Sequence, residues 1–190
     1  MEKQGFESKP KRLPKYITQE EIMGMLDKAK KDRYRNYILL LALSRTGLRV
    51  SEITQLCKRD IIDNAIIVRQ GKGKKDRYIP LEKELGNLLG LYIDRMNPRD
   101  GLFPLSERQV RNIVYKYSPW YEEIVKGRKV KRYEVHPHTL RHSFAVHCLK
   151  NHMNIRNLQK ILGHSSLTTT QVYLDVTGED VAENFWKVSW

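Results

Sequence analysis

The sequence predicts a mostly helical α+β domain that carries a small three-stranded antiparallel sheet. Apolar residues recur at helical spacing along the chain, and capping patterns such as Thr18 with Glu21 mark the starts of helices. Between residues 61 and 81 the pattern changes to short β-branched runs separated by turn residues. The chain has 190 residues, 40% of them hydrophobic and 30% charged, which is the composition of one folded domain.

The first half of the chain is expected to begin with an arm and to continue as helices and a sheet. Residues 1 to 17 are polar, basic and proline-containing, so we interpret them as an arm or linker stub ahead of a domain over residues 18 to 190. Helices are predicted over residues 18 to 29, 32 to 45 and 51 to 57, with Gly47 ending the second. Strands are predicted over residues 61 to 62, 65 to 68 and 78 to 81, with a turn at Asp63 and Asn64.

The second half is predicted to be helical except for one mixed stretch over residues 118 to 135. Its helices are expected over residues 82 to 93, 106 to 117, 138 to 151, 155 to 162 and 168 to 173. An amphipathic helical segment follows from about residue 179 to the end. A helix this short needs a surface to dock on, either its own domain or a neighbouring subunit, with Gly178 as the hinge.

The charge balance indicates a polyanionic partner. Thirty-five Lys and Arg residues against 22 Asp and Glu give a formal net charge of +13, although a basic soluble protein without such a partner would have the same charge. The longest apolar run, residues 37 to 43, is far short of the ~20 residues of a membrane span, and no apolar signal core is visible. Two isolated cysteines, Cys57 and Cys148, suggest a reducing compartment. We expect a cytoplasmic, DNA-associated protein without a membrane partner.

One stretch concentrates residue types that handle phosphate. His138, Arg141, His164 and Tyr173 follow one another within 36 residues. Arginine grips two phosphate oxygens, tyrosine is a possible covalent nucleophile, and histidine transfers protons near neutral pH. Arg49, at the corner between two predicted helices, would add a second guanidinium. Together, these residue types suit an enzyme that attacks a phosphodiester, although any one such residue by itself more often has a structural role.

Two basic segments allow both a functional and a solvated interpretation. Lys72 lies between Gly71 and Gly73, where an unencumbered turn would let its long side chain reach a ligand and protonate a leaving alkoxide. The same lysines could equally form a solvated loop. The cations of residues 126 to 132 suit phosphate contacts or a surface loop.

A metal-dependent nuclease is the first rival, and the sequence argues against it. The carboxylates of Glu52, Asp76 and Asp175 are scattered among cationic motifs, which is unlike a two-metal site. His138 and His142 have the spacing of a zinc-binding helix, but the glutamate of such a motif is missing between them. We therefore predict no metal site.

The same residues resemble the tyrosine recombinases, also called phage-type integrases, which include the Xer proteins. The resemblance rests on five stretches, which are RTGLRVSEI, GKGKKDRYIPL, HPHTLRHSFAVH, LGHSS and TTTQVYLDV. They come in the order of the family, and the resemblance extends over nearly all of residues 18 to 176. The resemblance implies a recombinase catalytic domain that cleaves one DNA strand at a time through a 3′-phosphotyrosyl bond. No cofactor, ATP or metal is implied.

The resemblance also implies a role for each site residue. Tyr173 would be the nucleophile, Lys72 the general acid, and Arg49 with Arg141 the phosphate clamp. His138 and His164 would complete the catalytic set, and Glu52 would steady it. The cations expected to bind DNA are Lys74, Lys75, Arg77, Arg128, Lys129, Lys131 and Arg132. Double-stranded DNA and other copies of the chain, assembled as a tetrameric synapse, are the implied partners.

One departure from the family is visible before the first helix. Family members usually carry a separate helical DNA-binding domain there, whereas this sequence has only residues 1 to 17. The sequence is therefore a catalytic part alone or a reduced form. Two other functions remain open, a type IB topoisomerase-like enzyme that relaxes any DNA and a DNA-binding module without activity.

Overall fold

The structure is a computed structural model that describes residues 14–69, 76–125 and 128–174. The described residues contain eight α-helices, which are α1 (Gln19–Asp32), α2 (Tyr34–Thr46), α3 (Val50–Ile53), α4 (Lys83–Ile93), α5 (Glu107–Tyr117), α6 (Pro137–Lys150), α7 (Ile155–Leu162) and α8 (Thr168–Gln171). Their strands are β1 (Ile61–Ile62), β2 (Ala65–Val68), β3 (Arg77–Pro80), β4 (Trp120–Val125) and β5 (Arg128–Tyr133). The predicted α+β class with a small three-stranded antiparallel sheet is confirmed.

Side-chain caps start two of the helices at the predicted positions. At α1 the backbone N–H of Glu21 donates to Thr18 Oγ1, and the backbone N–H of Thr18 donates to Glu21 Oε2 over 2.7 Å. Ser106 and Gln109 make the same reciprocal pair at α5. Each pair satisfies two backbone donors that a helix N-terminus leaves free, so the sequence determines where these helices begin.

Helix α2 forms the centre of the main core. Nearly all of its residues from 36 to 46 are buried, and it packs against α1, α4 and α6. The helix ends at Gly47, whose φ of +62° favours glycine. A Cβ at this position would lie only 2.6 Å from Cδ1 of Phe144 on α6. The tight turn at Gly47 therefore lets α6 approach the end of α2, and it leads directly to Arg49.

The three-stranded sheet has the order β1-β2-β3, and both of its pairings are antiparallel. The predicted turn at Asp63 and Asn64 joins the first two strands, with φ values of 48° and 57° that suit a two-residue hairpin. Ile66 and Ile79 are paired in register and buried in the core. This anchoring fixes the direction of β3, which carries Arg77 towards the functional site.

A second sheet was not predicted. The stretch over residues 118 to 135, which we expected to be mixed, contains β4 and β5 in a six-pair antiparallel ribbon. Most of its side chains are exposed on both faces. A ribbon without a buried face has no apolar alternation, so the sequence lacked the pattern by which strands are recognised. Its base is held by hydrogen bonds from Glu134 N to the Pro119 carbonyl and from Val135 N to Ser118 Oγ.

Two helices are shorter than predicted. The third ends at Ile53 instead of residue 57, because a separate 3-10 turn, Lys58–Asp60, begins where the N–H of Cys57 donates to Asp60 Oδ2. The last described helix spans Thr168–Gln171 instead of residues 168 to 173. Most of the expected arm and the segment from 179 lie outside the described residues. Within the described ranges, no helix is long and apolar enough to cross a membrane.

A smaller apolar cluster joins the last helices to α6. It is formed by buried residues that include Phe144, Leu149, Leu158, Leu162 and Tyr173. Helix α7 ends at Gly163, whose φ is +65°, and a Cβ there would lie 2.9 Å from Cδ of Arg77. The cluster therefore holds α7, α8 and the aromatic ring of Tyr173 against the helix that carries His138 and Arg141.

Candidate active site

One pocket of about 280 Å³ brings together most of the residues predicted to act in catalysis. Its lining includes Arg49, His138, Arg141, His164 and Tyr173. They come from the α2–α3 corner, from α6, from the loop after α7 and from the turn after α8. Lys72 falls outside the described residues. The pocket thus gathers five of the six positions from four separate parts of the chain.

Arg141 is fixed by the C-terminal ends of two helices. Its Nη1 donates to the carbonyl of Gly47 over 2.6 Å, and its Nη2 donates to the carbonyl of Leu162 over 2.7 Å. These carbonyls belong to the ends of α2 and α7, where the helix dipole favours a cation. The side chain is only 4% exposed. The guanidinium therefore has one orientation before any ligand arrives.

His164 is held as a neutral imidazole with a defined tautomer. Its Nε2 lies 3.0 Å from Arg141 Nη2, and its Nδ1 lies 2.9 Å from Thr170 Oγ1. Because a guanidinium can only donate, Nε2 accepts and Nδ1 carries the proton that it donates to Thr170. Burial and then the charge of Arg141 lower the pKa of His164 to about 4. Three of the five N–H groups of Arg141 are therefore occupied, and two remain for a ligand.

Glu52 organises two further arginines. Its Oε1 accepts from Nη1 of Arg49 and from Nη1 of Arg77, and its Oε2 accepts from Nη2 of Arg77, each over 2.8 Å. The backbone N–H of Arg49 also donates to it over 2.7 Å. Burial raises the pKa of Glu52, but the hydrogen bonds from Arg77 and Arg49 outweigh it and lower that pKa to about 2. Glu52 is therefore a carboxylate that orients Arg49.

Arg77, which the sequence analysis predicts as a DNA-binding cation, is paired with groups inside the protein. Its side chain is 9% exposed and forms the two-pronged pair with Glu52. Its Nε donates to the carbonyl of Ile161 over 2.8 Å. With all three of its nitrogens engaged inside the protein, Arg77 joins β3 to α7 and has a structural position.

The pocket carries more positive than negative charge. The guanidiniums of Arg49 and Arg77 pair with the carboxylate of Glu52, whose charge also acts on the guanidinium of Arg141. Burial and the charge of Arg49 lower the pKa of Arg141 to about 10, and burial with the charges of Arg141 and Arg49 also lowers the pKa of His138. No Asp or Glu is found among the residues that line the described pocket. An anion placed there would offset charge that the protein leaves uncompensated.

Tyr173 lies at the inner wall of the pocket. Its side chain is 2% exposed, and its hydroxyl forms a hydrogen bond of 2.8 Å with Nδ1 of His142. Burial raises the pKa of Tyr173, while the charges of Arg141 and Arg49 act in the opposite direction. The phenol is therefore protonated at neutral pH, and it needs a proton acceptor before it can attack.

His142 is the pocket residue that the sequence reasoning missed. The sequence showed it only as the second member of a zinc-like pair with His138. In the structure it lines the pocket and contacts Tyr173, which is 31 positions later in the chain. In the described part of the chain, no group of three or more His, Cys, Asp or Glu side chains is arranged to hold a metal ion. The signals in the sequence were the pairing with His138 and the position of His142 directly after Arg141.

Four of the predicted DNA-binding cations lie together on β5. Arg128, Lys129, Lys131 and Arg132 occupy this exposed strand, whereas Lys74 and Lys75 lie outside the described residues. Nζ of Lys129 lies 3.2 Å from Oε2 of Glu122, and Nε of Arg132 lies 2.6 Å from Oε2 of Glu123. Lys131 Nζ lies 3.8 Å from the centre of the Trp120 ring.

The base of the ribbon adjoins the active site. Tyr133, the last residue of β5, stacks on Tyr115 of α5 with ring centres 4.9 Å apart. Tyr115 lines a second cavity of about 290 Å³ with Arg111 and His136. Arg49 and His138 line both this cavity and the pocket. The second cavity therefore lies between the pocket, with which it shares Arg49 and His138, and the aromatic stack at the base of the ribbon.

Known proteins resemble the chain over most of its length. The model of the phage integrase family matches residues 15–179. The tyrosine recombinase XerA of Thermococcus kodakarensis is 40% identical over 173 residues, which are 90% of this chain and 61% of the relative. XerD of Chlamydia trachomatis is 33% identical and covers 97% of this chain and 66% of the relative.

Solved structures give the same result for the fold. The crystal structure of a XerA recombinase superimposes with a TM-score of 0.72 at 29% identity, covering 95% of this chain and 68% of that one. The catalytic domain of bacteriophage HP1 integrase has a TM-score of 0.67 at 26% identity, with coverages of 92% and 95%. The chain spans about three fifths of the length of the XerA relatives. It belongs to the phage integrase family, the tyrosine recombinases.

Proposed function

We propose that this chain is the catalytic part of a site-specific DNA recombinase that cleaves and rejoins DNA strands through a 3′-phosphotyrosyl intermediate. The observation that carries the proposal is the buried phenol of Tyr173 in a pocket that also holds two oriented arginines and an excess of positive charge. Membership of the tyrosine recombinases supports the reaction. A scissile phosphodiester is an anion of suitable size and charge for such a pocket.

The arrangement suggests how the first step proceeds. Arg49 and Arg141 neutralise the two non-bridging oxygens, and His138 and His164 lie beside them. The Tyr173 oxygen forms a bond to phosphorus while the bond from phosphorus to the 5′ oxygen breaks. Lys72, at a position that the structure does not describe, would give that oxygen its proton.

Rejoining reverses this step with another DNA end. The 5′-hydroxyl of a second strand attacks the phosphotyrosyl ester, a new phosphodiester forms, and Tyr173 regains its proton. Because the ester conserves the energy of the broken bond, the reaction needs no nucleotide cofactor. Exchange between two duplexes requires protein on both, so we also propose that copies of the chain assemble on DNA as a tetrameric synapse.

A trapping experiment tests the proposed chemistry. Wild-type protein is incubated with a pool of duplexes that have a randomised centre and a nick, so that the short released strand diffuses away and the ester persists. Covalent complexes are isolated under denaturing conditions, sequenced, and digested to map the modified peptide. We expect an adduct at Tyr173. No adduct, or one at another tyrosine, would contradict the proposal, and relaxation of plasmids of any sequence would instead indicate a topoisomerase.

The ribbon of β4 and β5 is the part of the surface that we propose contacts DNA beyond the pocket. A two-stranded ribbon fits the major groove. Its described strands carry four cations and two carboxylates, so a polyanion is the complementary surface. Lys129 and Arg132 are 75% and 49% exposed and can exchange their carboxylate partners for phosphates.

Salt dependence of DNA binding measures this contribution. Replacing Lys129 and Arg132 together by Gln is expected to reduce the log–log slope of affinity against salt by about 2, because each lost phosphate contact releases roughly 0.9 fewer counterions. The double replacement of Lys28 and Lys31 by Gln, on α1, makes the same charge change on another element. If the salt dependence of DNA affinity has the same slope in both double variants, the proposed contact between the ribbon and DNA is wrong.

A further inference from the structure

His142 makes the one hydrogen bond that the Tyr173 hydroxyl forms within the described residues. The oxygen lies 2.8 Å from Nδ1, and the two ring centres are 5.6 Å apart. His142 stands one helical turn after His138 on α6 and directly follows Arg141. The apolar cluster around Tyr173 holds the phenol ring in this position. The contact joins two rigidly placed groups, one of which is the proposed nucleophile.

We propose that His142 accepts the proton of Tyr173 during strand cleavage and returns it during rejoining. The inference rests on the proposed function. As the Tyr173 oxygen bonds to phosphorus, its O–H bond breaks and the proton moves to Nδ1 of His142. The phosphorus–5′ oxygen bond breaks in the same step, and the 5′ oxygen receives a proton from a separate acid. In rejoining, the phenolate leaves phosphorus and takes the proton back from His142.

The other two histidines of the pocket are less suited to this task. Both ring nitrogens of His164 are engaged, Nε2 by Arg141 and Nδ1 by Thr170, so no acceptor is free. His138 lines the pocket without a hydrogen bond to the Tyr173 hydroxyl in the described structure. His142 is thus the pocket histidine whose ring nitrogen already contacts the Tyr173 hydroxyl.

The environment of His142 keeps its imidazole neutral and therefore able to accept a proton. Burial, then the charges of His138 and Arg141 on its own helix, lower its pKa, so the imidazole is neutral at pH 7. The groups that face it from other elements are Tyr173 and His164, and Arg49 acts on both of these. A bound phosphodiester would add negative charge beside His142 and raise its affinity for a proton. The phenol oxygen loses its basicity once it is esterified, so the proton must leave in that step.

Single-turnover cleavage as a function of pH tests the role. In His142→Gln the amide oxygen can still accept a hydrogen bond from Tyr173 but cannot take the proton. We expect cleavage at pH 7 to slow by about 10²- to 10⁴-fold, the usual contribution of a general base. The variant should recover as pH rises and the phenol ionises by itself, whereas the wild type levels off once His142 is neutral. Imidazole in the buffer should partly restore His142→Ala.

Controls separate this role from a structural one. His147→Gln, on the same helix but outside the pocket lining, should cleave as the wild type does. Nitrogen NMR of His142 should show Nδ1 losing its hydrogen bond in Tyr173→Phe, independently of activity. A wild-type adduct at Tyr173 together with an unchanged pH profile in His142→Gln overturns this inference alone. Faster cleavage in that variant also overturns it, and no adduct in the wild type overturns the proposed function as well.

Discussion

Tyr173→Phe is expected to abolish covalent attachment to DNA while the protein still folds and binds DNA. The substitution removes only the phenolic oxygen, and the ring keeps its place in the apolar cluster with Phe144 and Leu162. The lost hydrogen bond to His142 costs about 1 kcal/mol, which a domain of this size tolerates. Trapping on nicked duplexes measures attachment, and a mobility shift measures binding.

The matched control for this experiment is Tyr133→Phe. Tyr133 also carries its ring at the edge of the site, where it stacks on Tyr115. Removing the hydroxyl of Tyr133 should leave the yield of the covalent protein–DNA adduct at the wild-type level. Persistent adducts in Tyr173→Phe, or their disappearance in Tyr133→Phe, would move the nucleophile to another residue.

Glu52→Ala is expected to lower the free energy of unfolding by about 3–5 kcal/mol, the usual effect of removing one partner from a buried ion pair. The carboxylate receives hydrogen bonds from Arg49 and Arg77, and without it three arginines repel one another across the pocket. Urea unfolding of the isolated domain measures the change. Glu123→Ala removes the exposed partner of Arg132 and should change stability by less than about 1 kcal/mol.

The same carboxylate predicts how stability depends on pH. The pKa of Glu52 falls from an ordinary 4.5 to about 2 in the folded protein. A group with a lowered pKa stabilises the fold fully above its unfolded value, so this contribution is complete above pH 4.5 and is lost as pH falls towards 2. Glu52→Gln should therefore lose less stability between these pH values than the wild type does. Parallel acid unfolding curves for the two proteins would contradict this assignment.

Local patterns predicted most of the fold. The caps at Thr18 and Ser106 and the turn at Asp63 and Asn64 each depend on residues within a few positions of one another. Caps and turns of this kind can be recognised from a few neighbouring residues, and the structure has them at the predicted positions. The ribbon of β4 and β5 was missed because exposed strands need no apolar alternation.

The residues of the site could be predicted from their chemical types, whereas most of the contacts between them could not. Arg49, Arg141 and Tyr173 were identified by their chemistry and by the family resemblance, and one pocket holds them. Arg77 was predicted to bind DNA, yet it pairs with Glu52, which is 25 positions away. The bond between His142 and Tyr173 joins residues 31 positions apart. Contacts of this kind depend on how helices pack, which a local pattern does not contain.

Tyr173 follows every other described residue of the pocket along the chain. A ribosome adds residues from the N-terminus at roughly 5–20 per second, so Arg49 and Arg141 are made before Tyr173. The ring of Tyr173 also completes the apolar cluster that holds α7 on α6. On the proposed mechanism, a nascent or prematurely ended chain lacks both the attacking oxygen and part of its pocket wall. Unfinished copies would therefore be unable to nick DNA, and cutting would begin only when synthesis has passed Tyr173.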